Sequence, residues 1–205
     1  MKMRKKLLAL LCSAVLAASL SVPALGYTDV AEGAWYREEV QTATDQGLMT
    51  GVTADRFDPE GTVTRATVIT VLWRLEGSPD VTVESVFPDI PVNNWAYTAA
   101  AWAKAVGIAA GYGDGTFAPG DSVTREQLAV FLYRYALYKG QPIAQGVVDL
   151  YDDSLYIHSW ALTGMKHALG AGLMTGSGNR LSPLGLASRA QLATVLVNLL
   201  APAQG

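Results

Sequence analysis

The chain has 205 residues, of which 50% are hydrophobic and 16% are charged, and its formal net charge is −3. This acidic balance argues against nucleic-acid binding through bulk positive charge, and a single cysteine excludes a scaffold held together by disulfides. The chain is long enough to bury a hydrophobic core without such cross-links.

The N-terminal segment 1–26 has the pattern of a secretory signal peptide. Four basic residues precede an apolar stretch, 7–20, which is too short to cross a bilayer comfortably, and Ala24-Leu25-Gly26 supplies a small-residue cleavage site. Removing this segment takes away four positive charges and the cysteine, so the formal net charge changes from −3 to −7. We therefore expect an exported protein, and no later segment is long and apolar enough to predict a membrane span.

The remainder of the chain repeats one pattern three times at a nearly constant period. Each copy contains an Asp, a Trp, two glycines, an aromatic residue or Leu two residues before a Pro, and then Thr-Arg or Ser-Arg. The matching residues are Asp29, Asp89 and Asp149; Trp35, Trp95 and Trp160; and Arg65, Arg125 and Arg189. Because a fixed period indicates repeated structural units, we predict three units, over residues 27–85, 86–145 and 146–205.

Each unit is predicted to form a helix, a loop and a second helix. Apolar residues recur at helical spacing in both segments, and the first stripe ends in alanine in every copy. The first stripes are Tyr36, Val40, Ala43; Ala96, Ala100, Ala103; and Ala161, Met165, Ala168. Such a unit cannot bury both stripes alone. We therefore predict a mainly α protein whose three helix-loop-helix repeats pack as a pseudo-threefold, three-pronged bundle.

Turn and capping residues set the predicted helix ends. Gly47, Gly107 and Gly172 lie where helix C-terminal glycines belong. Thr64, Thr124 and Ser188 are natural N-caps of the second helices, and Gln127 and Gln191 would complete capping boxes. A short extended segment is expected around Phe57, Phe117 and Leu181, since a proline two residues later limits its length.

The arginine after each N-cap is unusual for a helix built only for stability. It occupies the first helical position, where the helix dipole disfavours a cation by about 0.3–1 kcal/mol. In one interpretation, each arginine pairs with an aspartate of a neighbouring repeat. In the other, the arginine and the free N–H groups of the helix start receive an external anion. The sequence leaves both open.

The tryptophans allow two interpretations as well. A tryptophan is most often part of a core or a lid, but aromatic faces beside glycine-rich loops also hold sugar rings. Within Gly111-Tyr112-Gly113, Tyr112 is a better candidate for an exposed ring than Trp95.

The spacing of these motifs resembles a trio of S-layer homology domains. The second copy is the most similar: Phe87-Pro88-Asp89-Ile90, Trp95-Ala96, Gly111-Tyr112-Gly113-Asp114-Gly115-Thr116-Phe117 and Val123-Thr124-Arg125-Glu126. No copy has the final Glu of the family's Thr-Arg-Ala-Glu motif; Thr67, Gln127 and Gln191 stand there. The third copy differs further, with Leu181, Ser188 and an insertion before Trp160.

The resemblance implies non-covalent attachment to the bacterial cell wall. The family's usual ligand is a secondary cell-wall polysaccharide, often bearing ketal-linked pyruvate, bound in grooves between repeats; modified peptidoglycan is another possible ligand. The motif arginine of the family contacts the acidic sugar. The candidate ligand-binding residues are Arg65, Arg125, Arg189, Asp29, Asp89, Asp149, Trp35, Trp95, Trp160, Gly111, Tyr112 and Gly113.

Other chemistry has little support in the sequence. His158 and His167 lack the partners of a zinc site, the mature chain has no thiol nucleophile, and no catalytic motif is visible. We therefore expect no metal, no cofactor and no enzymatic activity. The alternative to a wall anchor is a structural protein that assembles with another surface protein or with itself.

Overall fold

The computed structural model describes residues 26–82 and 86–201, so the predicted signal peptide lies outside the described residues except for Gly26. Each repeat contributes two helices, and the described residues form no β-strand. The helices are α1 (Arg37–Asp45), α2 (Arg65–Leu75), α3 (Tyr97–Ala105), α4 (Arg125–Tyr138), α5 (Leu162–Gly170) and α6 (Arg189–Leu200), with one 3₁₀ turn at Ser154–Tyr156. The mainly α fold of three helix-loop-helix repeats is confirmed.

The helices pair across repeats. Helix α2 packs against α3, α4 against α5, and α6 against α1. Each helix pair thus joins the second helix of one repeat to the first helix of the next, and the α6–α1 pair returns the third repeat to the first. This cyclic arrangement is the closed bundle that three mutually dependent units predict.

Three backbone hydrogen bonds link the repeats in the same cyclic order. The N–H of Val63 donates to the Ala187 carbonyl at 3.0 Å, that of Ala187 to Val123 at 2.8 Å, and that of Val123 to Val63 at 2.9 Å. These residues come immediately before the N-caps of α2, α4 and α6. The links therefore fix where the three second helices begin relative to one another.

The predicted stripes form the core. The alanines that end the first stripes, Ala43, Ala103 and Ala168, are completely buried, as are Val68, Leu128 and Leu196 on the second helices. Gly47, Gly107 and Gly172 have φ of 69°, 80° and 68°, the left-handed conformation of a helix C-terminus. The capping boxes form at Thr124 with Gln127 and at Ser188 with Gln191, whereas Thr64 only caps. The helix predictions are thus confirmed in both packing and ends.

His167 gives this core a pH-dependent stability. Its ring is buried on α5, Nδ1 accepts the Ala144 N–H at 3.2 Å, and Nε2 has no hydrogen-bond partner among the described residues. Burial lowers the pKa of His167 below its ordinary value of 6.5, so the unfolded chain binds this proton more readily than the folded one. The free energy of unfolding should therefore fall as pH drops through 6.5. Urea denaturation at pH 7.5 and 5.5 measures the change.

The matched variant is His167→Asn, whose side-chain oxygen is bonded to Cγ as Nδ1 is, can still accept from Ala144 and does not titrate. Its loss of stability between the two pH values should be smaller than that of the wild type. An equal loss in both proteins would show that another group causes it.

Candidate functional site: grooves between the repeats

The aspartate of each of the first two repeats holds a strained turn. Asp29 Oδ1 and Oδ2 accept the N–H groups of Phe57 and Asp58, both at 2.8 Å. Asp89 accepts those of Phe117 and Ala118 at 2.9 and 2.6 Å. Asp58 and Ala118 have φ of 59° and 54°, a left-handed conformation that non-glycine residues rarely adopt. Any extended segment at Phe57 and Phe117 therefore ends with these residues, because the chain turns directly after them.

In the third repeat the equivalent residue is Asp153, and the assignment of Asp149 is wrong. Asp153 Oδ1 and Oδ2 accept the N–H groups of Leu181 and Ser182, both at 2.8 Å, and Ser182 has φ of 50°. Asp153 is buried, whereas Asp149 is exposed. The insertion before Trp160 therefore lies mostly ahead of this aspartate, because Asp153 to Trp160 is 7 residues, against 6 from Asp89 to Trp95.

The electrostatics of these carboxylates agree with a structural role. Burial by itself would raise the pKa of Asp29 and of Asp153, but the backbone N–H donors outweigh it and lower both. Arg56 and Arg180, each 3.6 Å from its aspartate, add to this lowering. Asp29 and Asp153 therefore stay ionised to hold their turns.

The repeated arginines bind backbone carbonyls of the next repeat. Nε of Arg65 donates to the Phe117 carbonyl at 2.6 Å, that of Arg125 to Leu181 at 2.8 Å, and that of Arg189 to Phe57 at 2.8 Å. Among the described residues none of the three forms an ion pair with the predicted aspartates, so that interpretation is wrong. Each arginine instead docks on the turn that the aspartate of the next repeat holds.

The helix starts offer no free N–H groups to an anion. The N–H of Arg65 donates to the Asp121 carbonyl at 2.9 Å and that of Ala66 to Pro119 at 3.1 Å. The same pairs recur at α4 and α6, where the acceptors are Gly185, Pro183, Gly61 and Pro59. The part of the anion interpretation that relies on free N–H groups is therefore wrong. Only the guanidinium groups remain to attract an anion.

One groove brings together predicted residues from all three repeats. The Arg65 groove is a cavity of about 430 Å³ lined by Arg65, Gly111, Tyr112, Gln127, Val130, Phe131, Arg134 and Trp160. The guanidinium of Arg65 is buried, and its Cζ lies 4.5 Å from the ring centres of both Tyr112 and Phe117. Burial lowers the pKa of Arg65 below its ordinary value, yet arginine remains charged at neutral pH.

A second groove has the same plan one repeat further on. The Arg125 groove, of about 470 Å³, contains Arg125, Trp35, Glu60 and Arg180, together with polar groups such as Ser188, Gln191, Thr194 and Asn198. The tryptophan in each groove thus comes from a repeat other than that of the arginine. Trp95, Arg189 and Gly113 line neither groove.

The tryptophans are surface residues. Trp35, Trp95 and Trp160 are 62%, 67% and 55% exposed, so the interpretation as core residues is wrong. Tyr112, at 42%, is less exposed than Trp95, which reverses the expected order. Each tryptophan lies two residues before its helix begins and one residue before the buried stripe, and this offset points it outward. This offset can be read from the sequence, so the exposure of the tryptophans was predictable.

Sequence reasoning missed a second repeated arginine. Nη1 of Arg74 donates to the Leu48 carbonyl at 3.1 Å, and Nη1 of Arg134 donates to Ile108 at 3.4 Å. Asn198, at the same position of the third repeat, donates to Gly172 at 3.0 Å. The signal was available, because each residue follows its helix-start arginine by nine positions. Arg134 and Asn198 give the two grooves different linings.

Within residues 26–82 and 86–201, no group of three or more His, Cys, Asp or Glu side chains could hold a metal ion. No helix in this part of the chain has the length and hydropathy needed to cross a membrane.

Comparisons with known proteins identify the repeat. The model of the S-layer homology domain, a binding and anchoring domain, matches residues 26–69, 86–129 and 150–193. An endoglucanase of Bacillus sp. (strain KSM-635) is 30% identical over 213 residues, which cover 97% of this chain and 22% of that protein. The surface-layer 125 kDa protein of Lysinibacillus sphaericus is 28% identical over 180 residues, 84% of this chain and 15% of that protein.

An amylopullulanase of Thermoanaerobacterium thermosulfurigenes is 29% identical over 171 residues, 81% of this chain and 9% of that protein. The chain thus spans less than a quarter of the length of these relatives. Three matched repeats cover more than half of its residues. The chain belongs to the S-layer homology domain family.

Proposed function

We propose that this protein is a non-covalent anchor of the bacterial cell surface that binds wall polysaccharide in the grooves between its repeats. It is exported behind the predicted signal peptide, residues 1–26. The ligand is a secondary cell-wall polysaccharide that carries acidic groups such as ketal-linked pyruvate.

One observation carries this proposal: each of the two grooves combines a charged arginine with a tryptophan exposed on its rim. The apolar C–H face of a sugar ring can stack on the indole, while its hydroxyl groups bond to the polar lining. A carboxylate on the sugar would bond to the guanidinium with a strength that neutral donors do not reach. The arrangement suits an acidic glycan.

The relatives support binding as the shared role. Relatives named as surface-layer proteins and relatives named as glycan-degrading enzymes match the same repeats. Proteins with such different names have an accessory binding module in common more readily than a catalytic one. The repeats are therefore proposed as the wall-binding part, with no catalysis of their own.

Co-sedimentation with purified wall sacculi tests the proposal. The chain from residue 27 onward is mixed with sacculi before and after acid extraction of the secondary polysaccharide. Sedimentation that is lost on extraction supports the polysaccharide ligand, and sedimentation that survives indicates modified peptidoglycan. Without sedimentation in either case the wall-anchor proposal is wrong.

The exposed tryptophans provide variants that should fold normally. Replacing both Trp35 and Trp160 by alanine removes the aromatic wall from both grooves and should weaken sedimentation at least tenfold, since buried aromatic contacts commonly contribute about 2 kcal/mol at a binding site. Tyr156→Ala is the control, because Tyr156 is 63% exposed and lines neither groove. Equal binding by the double variant and the control would contradict a role for the grooves.

Exposed apolar side chains on the third repeat favour the alternative, assembly with another surface protein or with a second copy. Leu150, Leu155 and Tyr156, on either side of Asp153, are 71%, 95% and 63% exposed. A molar mass that rises with concentration, together with no wall binding, would support assembly as the function.

A further inference from the structure

The three helix-start arginines differ in how much of the guanidinium is left for a ligand. Arg125 donates through Nη2 to Thr175 at 2.7 Å, in addition to its Nε bond. Arg189 likewise donates through Nη2 to Thr50 at 2.6 Å. Arg65 donates only through Nε, so Nη1 and Nη2 have no hydrogen-bond partner among the described residues. Arg65 alone keeps the whole terminal fork, the edge that can bind a carboxylate through two parallel bonds.

The loop of the second repeat explains this difference. Thr50 and Thr175 each precede a glycine, and the corresponding residues of the second repeat are Ala110 and Gly111. Gly111 has φ of 74°, a conformation that Gly51 and Gly176 do not adopt, and the Ala110 carbonyl receives no bond from Arg65. The next residue is Tyr112, whose ring stacks on the Arg65 guanidinium at 4.5 Å. The tyrosine thus takes the place that a carbonyl occupies in the other repeats.

The linings of the two grooves differ in charge. The Arg65 groove contains a second cation, Arg134, and no carboxylate among its lining residues. The Arg125 groove contains Glu60, and its second cation, Arg180, already lies 3.6 Å from Asp153. A lining carboxylate repels an anion about as strongly as a lining cation at the same distance attracts it. An anion therefore favours the Arg65 groove.

The aromatic wall of the Arg65 groove is also held more firmly. The Trp160 ring stacks on His158 at 5.6 Å between ring centres, with 20° between planes. The buried carboxylate of Glu126 holds His158 in place. It accepts the backbone N–H of His158 at 3.0 Å and is hydrogen-bonded to the ring Nδ1 at 2.7 Å. The other repeats have no such support, because they carry alanine at the position of Glu126, and Gly33 and Asn93 at that of His158. Trp160 is thereby positioned before a ligand arrives.

We propose that the two grooves are not equivalent: the Arg65 groove selects the carboxylate-bearing sugar of a wall polysaccharide, and Tyr112 is the residue that determines this selectivity. The Arg125 groove, whose arginine is already bonded to two carbonyls, takes uncharged parts of the same polymer. This assignment rests on the proposed function, and it adds which groove reads the acidic group.

A pair of probes separates charge from shape. One is the methyl glycoside of a hexose bearing a 4,6-linked pyruvate ketal, and the other is the methyl ester of the same compound. Calorimetric titration of the wild-type protein should give at least about tenfold tighter binding of the acid than of the ester, the gain expected for a charge-assisted hydrogen bond in a buried site.

Tyr112→Ser is the test variant, with the residue that the third repeat carries at this position as Ser177. Without the ring the Arg65 head can turn to the backbone, and the tenfold preference for the acid should fall to about twofold or less. Lost stacking between Tyr112 and the sugar would weaken both probes equally, so the ratio reports only on the carboxylate. Tyr112 is 42% exposed, and the variant should keep the wild-type melting temperature.

Val52→Ser is the matched control, because it changes the same loop position in the first repeat, where Arg189 is already bonded to Thr50. It should keep the wild-type ratio. A Tyr112→Ser protein with an undiminished preference for the acid, or a wild type with none, would overturn the assignment even if the wall sediments the protein. A wild type that prefers the acid but does not sediment with sacculi would leave the groove assignment standing and overturn wall anchoring.

Discussion

Replacing Asp153 by alanine should lower the free energy of unfolding by about 3 kcal/mol, whereas the same change at Asp149 should leave it within about 0.5 kcal/mol. Asp153 accepts two backbone N–H groups, at Leu181 and Ser182, on a turn whose Ser182 is left-handed. Each bond to an ionised acceptor contributes roughly 1.5–3 kcal/mol, and alanine would leave the Leu181 N–H buried without a partner. Asp149 is exposed and no carboxylate bond is lost there.

Urea denaturation of both variants at pH 7, followed by circular dichroism, measures the two changes. The pair is well matched, since both substitutions remove one carboxylate from the same repeat, four residues apart. A similar small effect at both positions would show that the turn does not depend on Asp153. A large effect at Asp149 would restore the alignment made from the sequence.

The fold could be predicted because its information is local and repeated. The stripes at helical spacing, the helix-ending glycines and the N-cap residues each indicate the same helices, and the period of the pattern gives the number of units. The repeat count also predicted a closed ring, since three units that each expose apolar stripes must bury these stripes on one another. The pairing of each second helix with the next repeat, as in α2 with α3, has no such local signal.

The register of the third repeat illustrates a limit of spacing arguments. Aspartates occur at 149, 152 and 153, and the spacing between Asp29 and Asp89, carried one step further, favours the first of them. The contact with the turn at Leu181 and Ser182 identifies Asp153. The sequence also carried this signal, because Asp153 precedes Leu181 by 28 residues, as Asp29 precedes Phe57. Insertions shift a repeat without changing its residue types, so a constant period is the wrong criterion where the length of the loop varies.

The partners of the arginines show a second limit. An arginine suggests a carboxylate partner from sequence, because backbone carbonyls occur at every position and leave no mark in the residue pattern. The structure satisfies Arg125 with two carbonyls, of Leu181 and Thr175. The residue pattern therefore identified the arginines that line the grooves. Which of their guanidinium groups are bonded to backbone carbonyls, and which are left for a ligand, is visible only in the folded structure.

That division makes Arg125 the second position of large effect. Arg125→Ala should destabilise the protein by about 3 kcal/mol, because it removes bonds at 2.8 and 2.7 Å to two carbonyls of the third repeat and leaves the Leu181 carbonyl unpaired. The guanidinium is buried, so water replaces these bonds poorly. Thermal and urea denaturation, compared with the wild type, measure the loss.

Arg180→Ala is the control for Arg125→Ala, since Arg180 lies in the same groove with a 67% exposed side chain and a single ion pair at 3.6 Å. Because the Arg180 end of this long pair is in solvent, we expect its loss to cost at most about 1 kcal/mol. Arg125→Lys should recover little of the loss, because one ammonium group cannot reproduce the two directed bonds of the guanidinium fork. If Arg125→Ala were as stable as Arg180→Ala, Arg125 would not stabilise the packing of the second repeat on the third. Its two hydrogen bonds to carbonyls would then be no more favourable than hydrogen bonds to water. A large loss would instead show that arginines at equivalent positions serve different ends, with Arg125 maintaining the ring and Arg65 left able to bind a ligand.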